Sequence, residues 1–245
     1  MKKVPSIWQS VMVAVAVLMM GAPASADNRI VQPGQQYFGK SYNVLASEWT
    51  NWLIAEPSAT NPAYDDNGSL CGQNQEGKVW FLAGTFENVN TPDDLPKRKC
   101  IVPADKAIFL TLGAAWVSFS PDFLWADPLC SQLPIENTLE RIRCDVNNDV
   151  PVAPSISFEV KIDGLPVKDL FAFRVQSKPE GFTLRVPDGS LLTEWGYSPG
   201  DRFPAVSDGY FLFLKPLELG KHTLKVVMTN EDGSLTGVKW TLIVR

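Results

Sequence analysis

Apolar and polar positions alternate most plainly between Asp208 and Arg245. Three strands are predicted there, at Tyr210 to Lys215, Lys221 to Thr229 and Leu235 to Val244, joined by turns at Pro216 to Gly220 and Asn230 to Ser234. In the middle strand Leu224 and Val226 share one face while Thr223, Lys225 and Val227 share the other, the period of a sheet buried on one side. Such a meander cannot stand alone, so the rest of the chain must supply a second layer.

The upstream pattern supplies it. Ile156, Phe158, Val160 and Ile162 alternate with polar residues before an Asp163-Gly164 turn, and Leu170 to Ser177 and Phe182 to Val186 read as further strands. Pro187 to Ser207 reads as a loop. Val79 to Thr85 is a continuous apolar run expected to be a buried strand, and strand-like residues recur at Ile101-Val102, Lys106 to Leu112 and Ala114 to Ser120. One helix is predicted over 43–55, within Ser41 to Glu56: Leu45, Trp49, Trp52 and Leu53 form a stripe that docks on the sheet, and Pro57 stops it. Ser120 to Asn148 reads as irregular, with a short helix at Glu136 to Arg143. About nine strands and one helix define a mainly β protein, a two-sheet antiparallel sandwich of jelly-roll or immunoglobulin-like type with an amphipathic helix packed on it. Residues 27–245 are expected to form one domain, the alternative boundary being near 148–154.

Export changes this picture at one end. Lys2 and Lys3, the apolar run Ile7 to Met20 and Ala24-Ser25-Ala26 have the form of a signal peptide over residues 1–26, cleaved before Asp27. The apolar run is shorter than the roughly 20 residues a spanning helix needs, so no membrane span is expected after cleavage. The chain carries a formal charge of -5, and its longest basic run is Lys97-Arg98-Lys99, which argues against a nucleic-acid partner. Cys71, Cys100, Cys130 and Cys144, an even number in an exported chain, imply disulfides. Of the three connectivities, Cys71 to Cys100 and Cys130 to Cys144 is favoured, because each pair flanks a turn-rich segment. The absence of C-x-x-C spacing argues against a thiolate metal site.

Several segments carry a resemblance. Tyr42 to Trp52 (Y-x-x-L-x-x-E-W-x-x-W), Cys71 to Thr85 (CGQNQEGKVWFLAGT), Cys100 to Phe109 (CIVPADKAIF), Asp163 to Ser177 (DGLPVKDLFAFRVQS) and Asp208 to Leu224 (DGYFLFLKPLELGKHTL) are together similar to a group of uncharacterised exported bacterial proteins. The likeness spans nearly the whole mature chain and implies a secreted, disulfide-bearing β protein, without implying an activity. The C-terminal pattern also resembles the closing hairpin of immunoglobulin-like extracellular modules. After the K-A-x-F strand this chain has Thr111-Leu112-Gly113-Ala114, where the group often carries Pro and a polar pair.

Catalytic signatures are missing: there is no G-x-S-x-G, no H-E-x-x-H and no Walker-type loop, and the one histidine, His222, is expected to be structural. Paired carboxylates of a glycosidase would have to come from Glu48, Asp65, Asp66, Asp93, Asp94 and Asp127, most of them in turn-rich loops. Asp145, Asn147 and Asp149 alternate like the start of a calcium loop, but Val150 stands at the sixth position instead of Gly and Ile156 at the twelfth instead of Glu. Calcium is the one cofactor considered. Trp116, Trp125, Trp195 and Tyr197 fall in or beside irregular segments and are the candidate ligand-binding residues, since exposed rings on a sandwich stack on sugar faces. The expected function is therefore a non-catalytic exported protein, periplasmic or extracellular, that binds a glycan, another ligand or an envelope protein. A secreted carbohydrate-active enzyme and an adhesive subunit pairing through strand edges are the alternatives.

Overall fold

The computed structural model of the 245-residue chain describes residues 26–120, 128–134 and 138–245. The predicted signal segment, apart from Ala26, lies outside them, as do Trp125 and Asp127. The chain enters through a 3-10 turn at Ala26–Arg29 and a tight hairpin of β1 (Gln36–Tyr37) and β2 (Lys40–Ser41). Phe38 and Gly39, both at positive φ, make the turn. The helix α1 (Tyr42–Ala55) follows, ended by the extended Glu56 that precedes Pro57. Then come β3 (Val79–Leu82), β4 (Lys97–Val102), β5 (Ala107–Phe119), α2 (Thr138–Asp149), β6 (Ser157–Ile162) and β7 (Leu165–Pro166). The last third holds β8 (Arg174–Gln176), β9 (Phe182–Leu184), α3 (Leu191–Glu194), β10 (Arg202–Leu214), β11 (Gly220–Thr229) and β12 (Leu235–Val244).

Two five-stranded sheets face each other. The first runs β3-β5-β10-β8, with β9 also on β10, and the second runs β4-β12-β11-β6-β7. This is the expected β-sandwich with a helix on it, and both sheets draw strands from either side of the 148–154 stretch. One feature departs from an all-antiparallel sandwich: β3 pairs with β5, and β4 with β12, in parallel at the sheet edges. Val79 to Leu82 is thus an edge strand whose apolar side chains are covered by α1 and loops. The Cys71–Cys100 and Cys130–Cys144 disulfides have the favoured pairing.

The first sheet is the middle layer. On one face lies α1: Trp49 packs edge-on against Phe211 at 5.5 Å and donates its indole N–H to the Leu82 carbonyl at 3.0 Å. Tyr42 donates its hydroxyl to the Val31 carbonyl (2.6 Å) and accepts from the Phe213 N–H (3.0 Å), and burial pushes its phenol far above the usual range. Phe109 and Phe211 stack beneath at 5.2 Å. The opposite face meets the second sheet, with Tyr210 against Phe158 at 4.8 Å, and beside that sheet meets α2, whose Ile142 and Val146 enclose Val206. Ordinary burial of one such aromatic side chain stabilises by about 2–3 kcal/mol, so this double cover is where the fold's stability concentrates.

Candidate functional site

The site arises where the double cover parts. Between the register pairs Phe211/Thr111 and Gly209/Ala115, β5 spends Leu112, Gly113 and Ala114 where β10 spends Tyr210 alone. Two glycines permit this bulge. Gly113 sits at φ +116° against Met228, and a Cβ on Gly209 would lie 2.7 Å from the Ala114 carbonyl oxygen. Beyond the bulge β5 has left β3, which pairs with it no further than Leu110. There α1, β5, α3 and the segment following β3 enclose a pocket of about 280 Å³.

Its inner wall is Trp49, Leu53 and Ile54 of α1 with Val117 and Phe119 of β5. Tyr197 closes one side, 5.3 Å from Phe119, and its backbone N–H is fixed by the Leu192 carbonyl at 3.0 Å. At the mouth Phe86 stands between Trp195 (5.9 Å) and Tyr64 (5.3 Å). Trp195 and Trp116 are each 53% exposed. Trp116 borders the pocket from the free edge of β5, alternating with Ala115 and Val117. Its register partner is Asp208, whose carboxylate lies on the α2 side of the sheet.

The wall chemistry is apolar. Thr50 donates to the Ala46 carbonyl (2.8 Å), Thr111 to the Tyr210 carbonyl (3.4 Å), and the Thr85 hydroxyl accepts from the Glu87 N–H (3.1 Å), so the hydroxyls are already engaged. No carboxylate, amine, guanidinium, imidazole or thiol is among the lining residues.

The rim is held from the opposite sheet. Arg98 of β4, 2% exposed, sends its guanidinium across the sandwich, over the Trp240 ring at 5.3 Å. It donates to the carbonyls of Ala63 (3.0 Å), Ala83 (3.0 Å), Gly84 (2.7 Å) and Asp65. Burial pushes its pKa down to about 10, against the pull of Asp65, Asp66 and Glu87, so the group stays charged at neutral pH. One cation thereby fixes both loops that carry Tyr64 and Phe86. The floor of the mouth is fixed by Glu56, which accepts from Thr60 (3.0 Å), Gln73 (3.2 Å) and Asn74, while its carbonyl accepts the Leu191 N–H and ties α3 to α1.

Three of the four aromatic candidates, Trp116, Trp195 and Tyr197, therefore border one pocket, and Trp125 lies outside the described residues. None of the described glycosidase carboxylates is among the lining residues, and Asp127 lies outside the described residues. Glu48 pairs with Lys40, Asp65 caps the N–H groups of Asn67, Gly68 and Leu70, and Asp94 accepts from Thr91. The calcium candidates sit on the helix α2, not on a loop, which corrects the expectation of an irregular segment running to Asn148. Leu139, Ile142 and Val146 give that helix its buried stripe. On helical backbone Asp145 and Asn147 point apart: Asp145 accepts from Ser118, and the Asn147 side chain accepts from Arg174 at 3.3 Å. No cluster of three or more His, Cys, Asp or Glu among the described residues could hold a metal ion. Both ring nitrogens of His222 are engaged, Nδ1 with Asp163 at 2.8 Å and Nε2 with the Glu218 carbonyl at 2.9 Å. Sequence reasoning missed Phe86, Tyr64 and Arg98. A glycine inside the strand-like run at Gly113 was the one available signal of a bulge.

Comparison with protein-family models, with curated proteins and with solved structures finds no match. The two disulfides fit a chain that folds outside the reducing cytosol, and no helix among the described residues is long and apolar enough to cross a membrane.

Proposed function

We propose that this chain is an exported, non-catalytic binding protein that takes a small apolar ligand in the aromatic pocket between α1, β5 and α3. The observation that carries the reading is the convergence of Trp49, Phe86, and the neighbouring Trp195 and Tyr197, from three separate segments, on one cavity whose lining includes no titratable side chain except the Tyr197 phenol. A volume of about 280 Å³ suits a compact molecule of one or two rings or a short acyl chain. The indole of Trp195 and the phenol of Tyr197 offer donors at the edge of an otherwise apolar wall, which favours a ligand carrying an acceptor oxygen. The exposed indole of Trp195 favours a second reading, a neutral sugar stacked across the mouth.

Fluorescence titration tests it. With the neutral probe N-phenyl-1-naphthylamine, saturable emission is expected from the wild type, with affinity lowered about tenfold or more in Trp195→Ala, equivalent to about 1.4 kcal/mol. Saturable binding of neutral oligosaccharides with no uptake of the probe would transfer the site to the second reading. Recovery of a hydrolytic activity abolished by one carboxylate substitution would overturn the non-catalytic assignment.

A further inference from the structure

A second surface stands on the far side of the molecule, on the outer face of the second sheet. Arg98, Cys100 and Val102 of β4 point into the core, which turns Lys97, Lys99 and Ile101 outward, and Trp240, Leu242 and Val244 of β12 do the same for Lys239 and Thr241. Register then aligns residues far apart in sequence. Lys97 lies beside Lys239, Lys239 opposite Lys225, and Lys225 opposite Lys161, so four adjacent strands present four lysines in a single transverse row. At a strand spacing of about 4.8 Å the row is roughly 14 Å long. Lys99 and Lys221 add to the same face.

Like charges directly opposite one another on a sheet are destabilising, and the chain as a whole is acidic, which makes the row conspicuous. It is only partly neutralised from within. Glu159 accepts from Lys161 (2.6 Å) and Lys225 (2.5 Å), and Lys239 donates to the Pro92 carbonyl (2.6 Å) with Asp93 at 3.9 Å. Lys97, Lys99 and Lys221 have no acceptor among the described residues.

We infer that this row is a docking surface for a linear polyanion, an acidic polysaccharide laid across the strands. Two observations choose a polymer over an anionic membrane. The charges form one line at a regular pitch, which a chain with negative groups recurring at about that interval can follow. The segment that packs Leu95 on Val227 also borders the row at Lys239, and it carries Asp93, whose side chain is 98% exposed, as an outpost that an anionic plane would meet. The surface is independent of the aromatic pocket, which lies beyond the first sheet.

The test uses polygalacturonate, a linear polymer with one carboxylate per sugar, in affinity electrophoresis of the mature chain, with dextran as the neutral control and phosphatidylglycerol vesicles as the planar one. Retardation by polygalacturonate that weakens as salt is raised is expected, with at least a tenfold loss of affinity in the pair Lys97→Gln and Lys239→Gln and no loss in the pair Lys78→Gln and Lys106→Gln. Acetylation footprinting of the wild type reads the same contact without a variant: the polymer should protect Lys97 and Lys99 relative to Lys78. Absence of retardation, equal loss in both pairs, absence of protection, or binding to the vesicles without binding to the polymer would each overturn the inference.

Discussion

The strands β5 and β10 lead two different lives on either side of their bulge. From Ile108 to Thr111, opposite Phe211 to Leu214, they lie between α1 and the second sheet, with the aromatic stack of Phe109 and Phe211 at the centre. From Ala115 to Phe119, opposite Ala205 to Gly209, the same pair is covered loosely on the α1 side and leaves the pocket. Strand pairing is common to both halves, so what separates them is the cover. One half supplies stability, and the other is held open by a frame of polar contacts at its rim.

That division can be broken most forcefully at paired phenylalanines. Phe211→Ala should cost about 4 kcal/mol in chemical denaturation, whereas Phe119→Ala should cost roughly half as much, because its void merges with space that already exists. Equal costs would erase the distinction. Arg98→Met comes next, at about 3 kcal/mol, since it strands three buried carbonyls and the half-buried Gly84 carbonyl that the guanidinium now satisfies. Unlike a core truncation, it should also loosen probe binding, through the Tyr64 and Phe86 loops. Trp195→Ala should sharpen the contrast from the other side, moving stability by less than about 1 kcal/mol because half of the indole is already in water, yet weakening the probe tenfold. Trp116→Ala should weaken it less, as its alternation with Ala115 and Val117 sets it at the pocket's border.

The smallest effect lies outside both halves. Burial alone would raise the Asp163 carboxyl, but His222, the Thr223 N–H and Arg29 outweigh it and hold the group below the usual carboxylate range. A depressed folded value contributes stability above the unfolded pKa of about 3.9 and loses it as pH falls through the folded value. Acid titration of Asp163→Asn should therefore lack a component below pH about 4 that the wild type shows, worth less than about 1 kcal/mol for so accessible a group.

Much of this architecture was legible from local pattern. The β11–β12 hairpin, the α1 stripe of Leu45, Trp49, Trp52 and Leu53, and the disulfide pairing all follow from period and spacing. The three-stranded meander expected at the C-terminus does not form, because the chain crosses between sheets after β10 and only β11 and β12 pair. The parallel edge pairings were not legible, because nothing in Lys97 to Val102 names β12 as its neighbour. The helix α2 runs past the short helix its sequence suggests, because the stripe of Leu139, Ile142 and Val146 is diluted by eight charged or polar residues. At the site, Trp195 and Tyr197 were conspicuous as aromatics in an irregular segment. Phe86 and Arg98 were not, because their roles depend on which loops meet. The lysine row is invisible in sequence for the same reason, its members being joined only by register.

The central claim is that the tight half stabilises and the open half binds. It is tested most directly by measuring unfolding free energy and probe affinity together in Phe211→Leu and Trp195→Ala. The account predicts a stability loss with affinity kept near wild type in the first, and an affinity loss with stability kept in the second. Parallel losses of both quantities in both variants would contradict it.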